Sequence, residues 1–470
     1  MRRQNNNLTN IITLIVLALI VAGGAFIYFS PKFEKESPKI SFDNSGFWNL
    51  KDSLNVALSD ESGIKSYKVY YKTLEKEIVL NSKELDSNQS KVVFNIEKFT
   101  LDPSIEKIKI AIEVIDNSMW KFFQGNKAYK EFELTIDREK PLARVLVNSR
   151  TIKKGGSATV VVEVKDKNLS KKYISFNDEY QFELIPFMKK DFYAAIIAWP
   201  IDVEEFNIVN LVAIDKAKNK TVTKVPLYIK DLKIKDDNIN ISKNFIEKVS
   251  IPVLKKSDYA IPTNDVDIFI KQNRELRAKN LATIKSESLK NMSKDMLLEY
   301  NFRTFKRLEG SKTFAGFAER RQYFYENEKI DQAWHLGMDW ASIKHADVKS
   351  SNSGKVIFND YLGIYGNTLI IDHKLGVQSL YAHTSKFYVK KDEKVKIGQK
   401  IAETGSTGAV FGDHLHFGML VQGIEVNPLE WMDRAWIKSR VTNILDEAKQ
   451  EISSTKWDKE LLLNQLKLLE

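Results

Sequence analysis

The spacing of hydrophobic positions changes along this chain, and each change predicts a different element. From Ile11 to Phe29 no charge interrupts the apolar run, which is close to the ~20 residues a helix needs to cross a bilayer. From Pro38 to about Asp231 the period is two. Ala158, Val160, Val162 and Val164 alternate with Thr159, Val161, Glu163 and Lys165, the pattern of a half-buried strand. Lys68-Val69-Tyr70-Tyr71 and Ile108-Lys109-Ile110-Ala111-Ile112 read the same way, and closely spaced turn residues suggest antiparallel sandwiches. Between 233 and 310 the rhythm turns helical. Asn264-Asp265 can cap a helix carrying Ile268, Phe269, Leu276, Leu281 and Ile284, and Met292, Met296, Leu297 and Leu298 extend the pattern. Strands return near Thr313, with Lys355-Val356-Ile357-Phe358, Thr368 to Asp372 and Val377 to Tyr381. His373-Lys374-Leu375-Gly376 is expected as a tight hairpin between the last two. Beyond Pro428, Val441, Ile444, Leu445, Ala448 and Ile452 form one helical stripe, and Trp457 with Leu461 to Leu469 a second. Each stripe is short and broken by charge, so both predict packing surfaces rather than membrane contacts.

A weak internal repeat organises the period-two region. Val114-Ile115-Asp116-Asn117, followed by Asn126-Lys127, recurs as Ala213-Ile214-Asp215-Lys216, followed by Asn219-Lys220. The interval is roughly one small sandwich domain, about a hundred residues. The expected architecture is therefore mainly β. A cytoplasmic N-terminus (1–10) and a transmembrane helix (11–29) lead into two tandem immunoglobulin-like β-sandwich domains (38–139 and 140–232), divided near Lys140-Pro141. A helical linker or regulatory segment (233–311), an antiparallel β domain (312–435) and C-terminal helices (436–470) follow. No aromatic cluster or charged constellation marks the sandwich domains as wall-binding, so they are read as spacers.

Composition narrows the setting. A chain of 470 residues suits two to four domains, and 43% hydrophobic with 29% charged residues is ordinary for folded protein. The formal net charge is +10, but the lysines are spread along the chain and no nucleic-acid motif accompanies them. Nucleic acid is therefore set aside as a partner. There is no cysteine, so disulfides and thiolate metal sites are excluded. Arg2 and Arg3 precede the apolar run, which predicts the N-terminus inside the cytoplasm and the remainder outside. A cleaved signal peptide ending at Ala22-Gly23-Gly24-Ala25 is the competing reading. The run continues through Phe26-Ile27-Tyr28-Phe29, where interfacial aromatics favour a single-pass anchor in the cytoplasmic membrane.

All six histidines, His335, His345, His373, His383, His414 and His416, lie between Trp334 and Phe417. Three segments concentrate the chemistry: His335-Leu336-Gly337-Met338-Asp339, Tyr381-Ala382-His383 and Asp413-His414-Leu415-His416-Phe417. An extended chain puts His414 and His416 on one face, and His335 with Asp339 likewise, Gly337 favouring the extended form over a helix. Imidazole and carboxylate are what Zn²⁺ takes where cysteine is absent. These segments can supply two histidines and one carboxylate, with two further histidines nearby. His373 is read as structural, and His345 has no predicted role.

These motifs resemble the LytM/lysostaphin-type zinc endopeptidases of peptidoglycan, the M23 family. Its pattern of His-x-Gly-x-Asp, Tyr-x-His and His-Leu-His-Phe is matched in order, together with Tyr365-Gly366-Asn367, Gly398-Gln399-Lys400-Ile401 and Gly405-Ser406-Thr407-Gly408. Phe317-Ala318-Glu319-Arg320-Arg321 resembles the family's Phe-Gly-x-Arg segment, with Ala318 in place of glycine. The resemblance spans roughly 312–435 and makes that region an M23-type peptidase domain. It implies a zinc endopeptidase acting on stem peptides or cross-links of peptidoglycan outside the cytoplasm, in the periplasm or wall. His335, Asp339 and His416 are then the expected Zn²⁺ ligands. His383 and His414 are the expected catalytic pair, with acid and base undecided between them. Asn367 and Arg320 are candidate substrate contacts. An inactive scaffold, or an activator of another wall hydrolase, is the alternative. Oligomeric state is not legible.

Overall fold

In the computed structural model, residues 7–43, 45–72 and 77–454 are described. The positive start at Arg2 and Arg3 and the stripe from Trp457 lie outside them. The apolar run is a helix, Asn7–Phe29, and none of its Asn10–Phe29 stretch is buried against protein. Two compact units follow from the contacts. One comprises Met1–Pro141 with Lys167–Ser170 and Ile214–Lys220, and the other Leu142–Asp166, Lys171–Ala213 and Thr221–Glu470.

In the first unit six strands form one sheet, with Leu54–Lys72 and Glu77–Ile96 as its longest hairpin. The predicted strand around Ile108–Ile112 is Lys107–Asp116, and its Ile108, Ile110, Ile112 and Val114 face the core as period two requires. The pairing slips between Ser59 and Ile64, where Gly63 takes a positive φ, the conformation glycine adopts without penalty.

The second unit opens with two four-stranded sheets and a short two-stranded one. Strand Ser157–Lys165 was expected to be half-buried, but Ser157 through Val162 are buried on both faces. The cause is tertiary. The C-terminal helical segment packs beside this strand, burying Val441, Ile444, Leu445, Ala448 and Ile452, the stripe read from the sequence. Its Arg440 donates to Ser149 O, and Ser149 Oγ returns a bond to Arg440 O.

The expected helical linker begins as a strand instead: Lys235–Asn240 pairs in parallel with Glu319–Tyr325. The helix capped by Asn264, whose side chain accepts the Asp267 N–H, then runs through Asn291. Its Ile268, Phe269, Leu276 and Ile284 pack with Ile357, Ile370, Leu380 and Leu420 of the main sheet. The helical rhythm through Met292, Met296 and Leu298 is overruled. Met292 ends the helix in extended conformation, and Leu297 forms a bridge to Phe187. The chain there finds its backbone partners in a neighbouring sheet rather than in itself.

The third region is built on an eight-stranded sheet. Its path runs Lys312–Ala315, Met338–Ala341, Leu415–Val421, Val377–Ala382, Asn367–Asp372, Gly354–Tyr361 and Lys394–Val395, with Ile424–Val426 beside Leu415–Val421. Between Asn367–Asp372 and Val377–Ala382 lies the predicted hairpin, with Lys374, Leu375 and Gly376 all at positive φ.

Candidate metal centre

The register of the main sheet brings the motif residues together. Asp339 lies opposite His416 across one strand pair, and Ala382, which precedes His383, lies opposite His416 across the next. His335 does not share a continuous strand with Asp339, as had been expected. It follows strand Glu328–Trp334 of a flanking sheet, and a bend at Gly337 leads into Met338–Ala341. The outcome for the side chains is the same. His335 Nε2 is 3.0 Å from Asp339 Oδ2, His416 Nδ1 is 2.8 Å from Asp339 Oδ1, and the two imidazole nitrogens are 3.2 Å apart. Bonds of ~2.0–2.1 Å in a tetrahedron put ligand atoms about 3.3 Å apart, so the donor set fits one Zn²⁺ ion.

Second contacts fix these rings. Nδ1 of His335 faces Gly316 O at 2.7 Å. A carbonyl only accepts, so Nδ1 carries the proton and the Nε2 lone pair is the one available to a metal. A Cβ on Gly337 would lie 2.6 Å from both His416 Nε2 and Phe417 O, so only glycine lets the His416 ring sit where it does. Burial by itself would raise the Asp339 carboxyl, but the imidazoles of His335 and His416 hold it well below the ordinary carboxylate range. His416 is pushed down to about 4 by burial. An ionised carboxylate and neutral imidazole are the forms that bind a metal.

Two more histidines stand beside this trio. The rings of His383 and His414 are 4.9 Å apart, and His383 is 5.8 Å from His416. His383 Nδ1 lies 2.8 Å from Thr407 O and His414 Nδ1 3.1 Å from Gly412 O, so each Nδ1 keeps its proton on a carbonyl and Nε2 is the nitrogen left to exchange protons. His414 Nε2 is 3.9 Å from Asp339 Oδ1. Burial, then the neighbouring His414, pushes His383 well below the usual imidazole range.

The other candidates fall differently. Asn367 belongs to the turn after Tyr365, and its Nδ2 donates to Thr384 O, the residue after His383. It braces the His383 loop. The guanidinium of Arg320 does not reach the centre; it grips Asp236 of the parallel neighbouring strand through two bonds. Arg321, not singled out by the sequence reading, donates from Nη2 to Asp339 Oδ2 at 3.1 Å. Successive residues of a strand face opposite ways, so only one of the paired arginines can face Asp339. Nothing in the sequence says which. His373 is held between Ser353 O and Ser379 Oγ and is depressed to about 4 by burial, consistent with a structural role. His345 contacts Ser385 Oγ and Thr404 O beside the Asp413–His414 loop.

A carboxylate and two imidazoles converging at a sheet end, flanked by two further imidazoles, define a candidate centre of metallopeptidase type. Residues 333–428 match the profile of Peptidase family M23, and the C-terminal part of this chain is an M23 domain. DD-carboxypeptidase/endopeptidase Mpg of Neisseria meningitidis is 37% identical over 107 residues, 22% of this chain and 25% of its own. Peptidoglycan DD-endopeptidase ShyB of Vibrio cholerae is 37% identical over 116 residues, 25% and 26% of the two chains. Murein hydrolase activator NlpD of Escherichia coli is 38% identical over 97 residues, 20% and 25%. The chain spans about a quarter of the length of the curated relatives it matches.

Proposed function

We propose that this chain is a zinc-dependent endopeptidase of peptidoglycan peptides, anchored in the cytoplasmic membrane by Asn7–Phe29 with its catalytic domain outside the cytoplasm. The observation that carries the reading is the convergence of His335, Asp339 and His416 within ligand distance of one another, with His383 and His414 beside them. In this reading the three hold the ion. Bound zinc would lower the pKa of a water toward ~7 and polarise the scissile carbonyl. The chain's own residues supply the rest. One of His383 and His414 takes a proton from the attacking water at Nε2, and the other gives a proton to the leaving amine. Arg321 holds the Asp339 carboxylate in place. Asn367 and Thr407 hold the His383 loop. Relatives named as peptidoglycan endopeptidases support the substrate class.

A relative named as a murein hydrolase activator supports a second reading, in which the domain activates another enzyme without hydrolysis. Both readings meet one test. The full-length chain is incubated with purified peptidoglycan, with and without a chelator, and the released muropeptides are identified by mass spectrometry. Chelator-sensitive release of cleaved peptides is expected. A metal-loaded protein that releases none, yet stimulates a separate wall hydrolase, would establish the activator.

A further inference from the structure

The aromatic loop of the first unit, Met119–Gln124, was not marked by the sequence reading, and the structure gives it an unusual setting. Phe122 is 93% exposed and Phe123 69%. Lys121, Phe122 and Phe123 have φ of 55°, 56° and 70°, a left-handed run that bulky residues avoid unless surroundings impose it. Among the described residues, no ring packs against either phenylalanine, and both are displayed to solvent.

The loop is tied to the chain just beyond the apolar helix. Met119 N donates to Lys32 O at 2.6 Å, Ser118 Oγ to Glu34 O at 2.7 Å, and Lys35 Nζ lies 4.3 Å above the Trp120 ring. Asn126 Nδ2 donates to Glu34 Oε1 at 2.9 Å. Lys32 stands three residues after Phe29, the last residue of the helix, so the attachment is at most about 10 Å of chain from the helix end. The headgroup layer beyond the ~30 Å hydrocarbon core is itself several Å deep on each side. Aromatic rings prefer that layer, and Tyr28 and Phe29 end the helix with rings 80% and 79% exposed.

We infer that Trp120, Phe122 and Phe123 dip into the outer-leaflet interface beside the anchor, making a second membrane contact of the first unit. This rests on the anchor reading above. The contact restricts the tilt of the unit at the membrane, which a single helix would leave free. Lys35 lies over the Trp120 ring, Lys121 follows it in the chain and Lys32 is bonded through its carbonyl to Met119, cations suited to lipid phosphates.

The chain has no cysteine, so a single-cysteine variant can be labelled uniquely. Phe122→Cys and Phe123→Cys in the full chain are labelled with an environment-sensitive fluorophore and reconstituted into phosphatidylethanolamine/phosphatidylglycerol vesicles. Ser104→Cys is the control, exposed at the opposite end of strand Lys107–Asp116, about 30 Å away. At 122 and 123 the emission should shift to shorter wavelength and lose the greater part of its intensity to lipids spin-labelled near the headgroup. At 104 neither should happen. Vesicle flotation with water-like emission at both 122 and 123 overturns the loop contact while leaving the anchor intact. Failure of the chain to float overturns the anchor and the contact with it. Short-wavelength emission without lipid quenching identifies a protein neighbour instead and also overturns the proposal.

Discussion

Gly337→Ala probes the proposed centre without touching a ligand. The new Cβ would lie 2.6 Å from His416 Nε2 and 2.6 Å from Phe417 O, where ordinary contact begins at 3.4 Å, a deficit of about 0.8 Å. Phe417 cannot give way. Its strand, Leu415–Val421, is paired on both sides, to Met338–Ala341 and to Val377–Ala382. The displacement therefore falls on the His416 ring or on the 335–339 segment, and each carries a proposed ligand. A misplacement near 1 Å at a reacting centre costs roughly 10²-fold, and overpacking of this kind costs about 1–3 kcal/mol of stability. The expected phenotype is a folded protein with a lowered unfolding midpoint, weakened zinc retention and kcat/KM down about 10²-fold. Thermal unfolding, metal analysis after dialysis and muropeptide release measure the three separately. Normal zinc content together with unchanged kcat/KM would refute the argument that His416 is held in place by the missing side chain.

Other perturbations separate the remaining roles. His383→Ala and His414→Ala should each retain zinc while turnover falls ~10²–10⁴-fold; metal loss in either variant would make it a ligand. Arg321→Ala should weaken zinc binding by about 10–100-fold, as removal of an outer contact to a ligand does. Arg320→Ala breaks only an exposed, solvent-screened pair with Asp236, so equal effects of the two on metal titration would contradict the assignment. Burial raises the Asp372 carboxyl from 3.8 to about 6. The fold therefore favours its protonated form, and its contribution to stability is complete below the unfolded value and lost as pH rises through about 6. Unfolding midpoints of Asp372→Asn should fall less between pH 4 and 7 than those of the parent, and identical slopes would sink the point.

What could be read from the sequence was local. The pairings of His335 with Asp339 and of His414 with His416 are short-range patterns, as are the cap at Asn264 and the turn at Lys374–Gly376. Each recurs in the structure because the chemistry lies within a few residues. What failed was decided by distant partners. Leu297 left its helical rhythm because its N–H bonds to Pro186 O and its carbonyl accepts from Met188. Strand Lys235–Asn240 exists because Glu319–Tyr325 offers it an edge. Ser157–Lys165 lost its solvent face to a helix almost 300 positions later in the chain, as the Ser149–Arg440 bond at a separation of 291 records. The choice between Arg320 and Arg321 depended on which face of one strand met Asp339, and alternation alone carries no such information. Phe122 and Phe123 look like core residues in any composition-based reading, and only the exposed loop reveals them.

The same distant contacts bear on how the second β domain and the M23 domain work together, since both lie in one compact unit. Gln422 receives the Glu183 N–H on Oε1 at 2.8 Å and donates Nε2 to Glu183 O at 3.0 Å, a reciprocal pair that mimics strand pairing. Glu430 accepts the Ser157 N–H at 2.9 Å and fills the space over Gly156, where a Cβ would lie 2.4 Å from its Oε1. Arg440 and Ser149 exchange bonds as well. Apart from the Ser149 hydroxyl, these contacts use backbone groups of the β domain, whose positions are set by its own sheets, so they hold orientation more tightly than exposed ion pairs between flexible side chains would. A spacer joined by a flexible linker would leave the candidate centre free to reorient. Here the orientation of the candidate centre to the second β domain is fixed by packing rather than by the length of the segment connecting them.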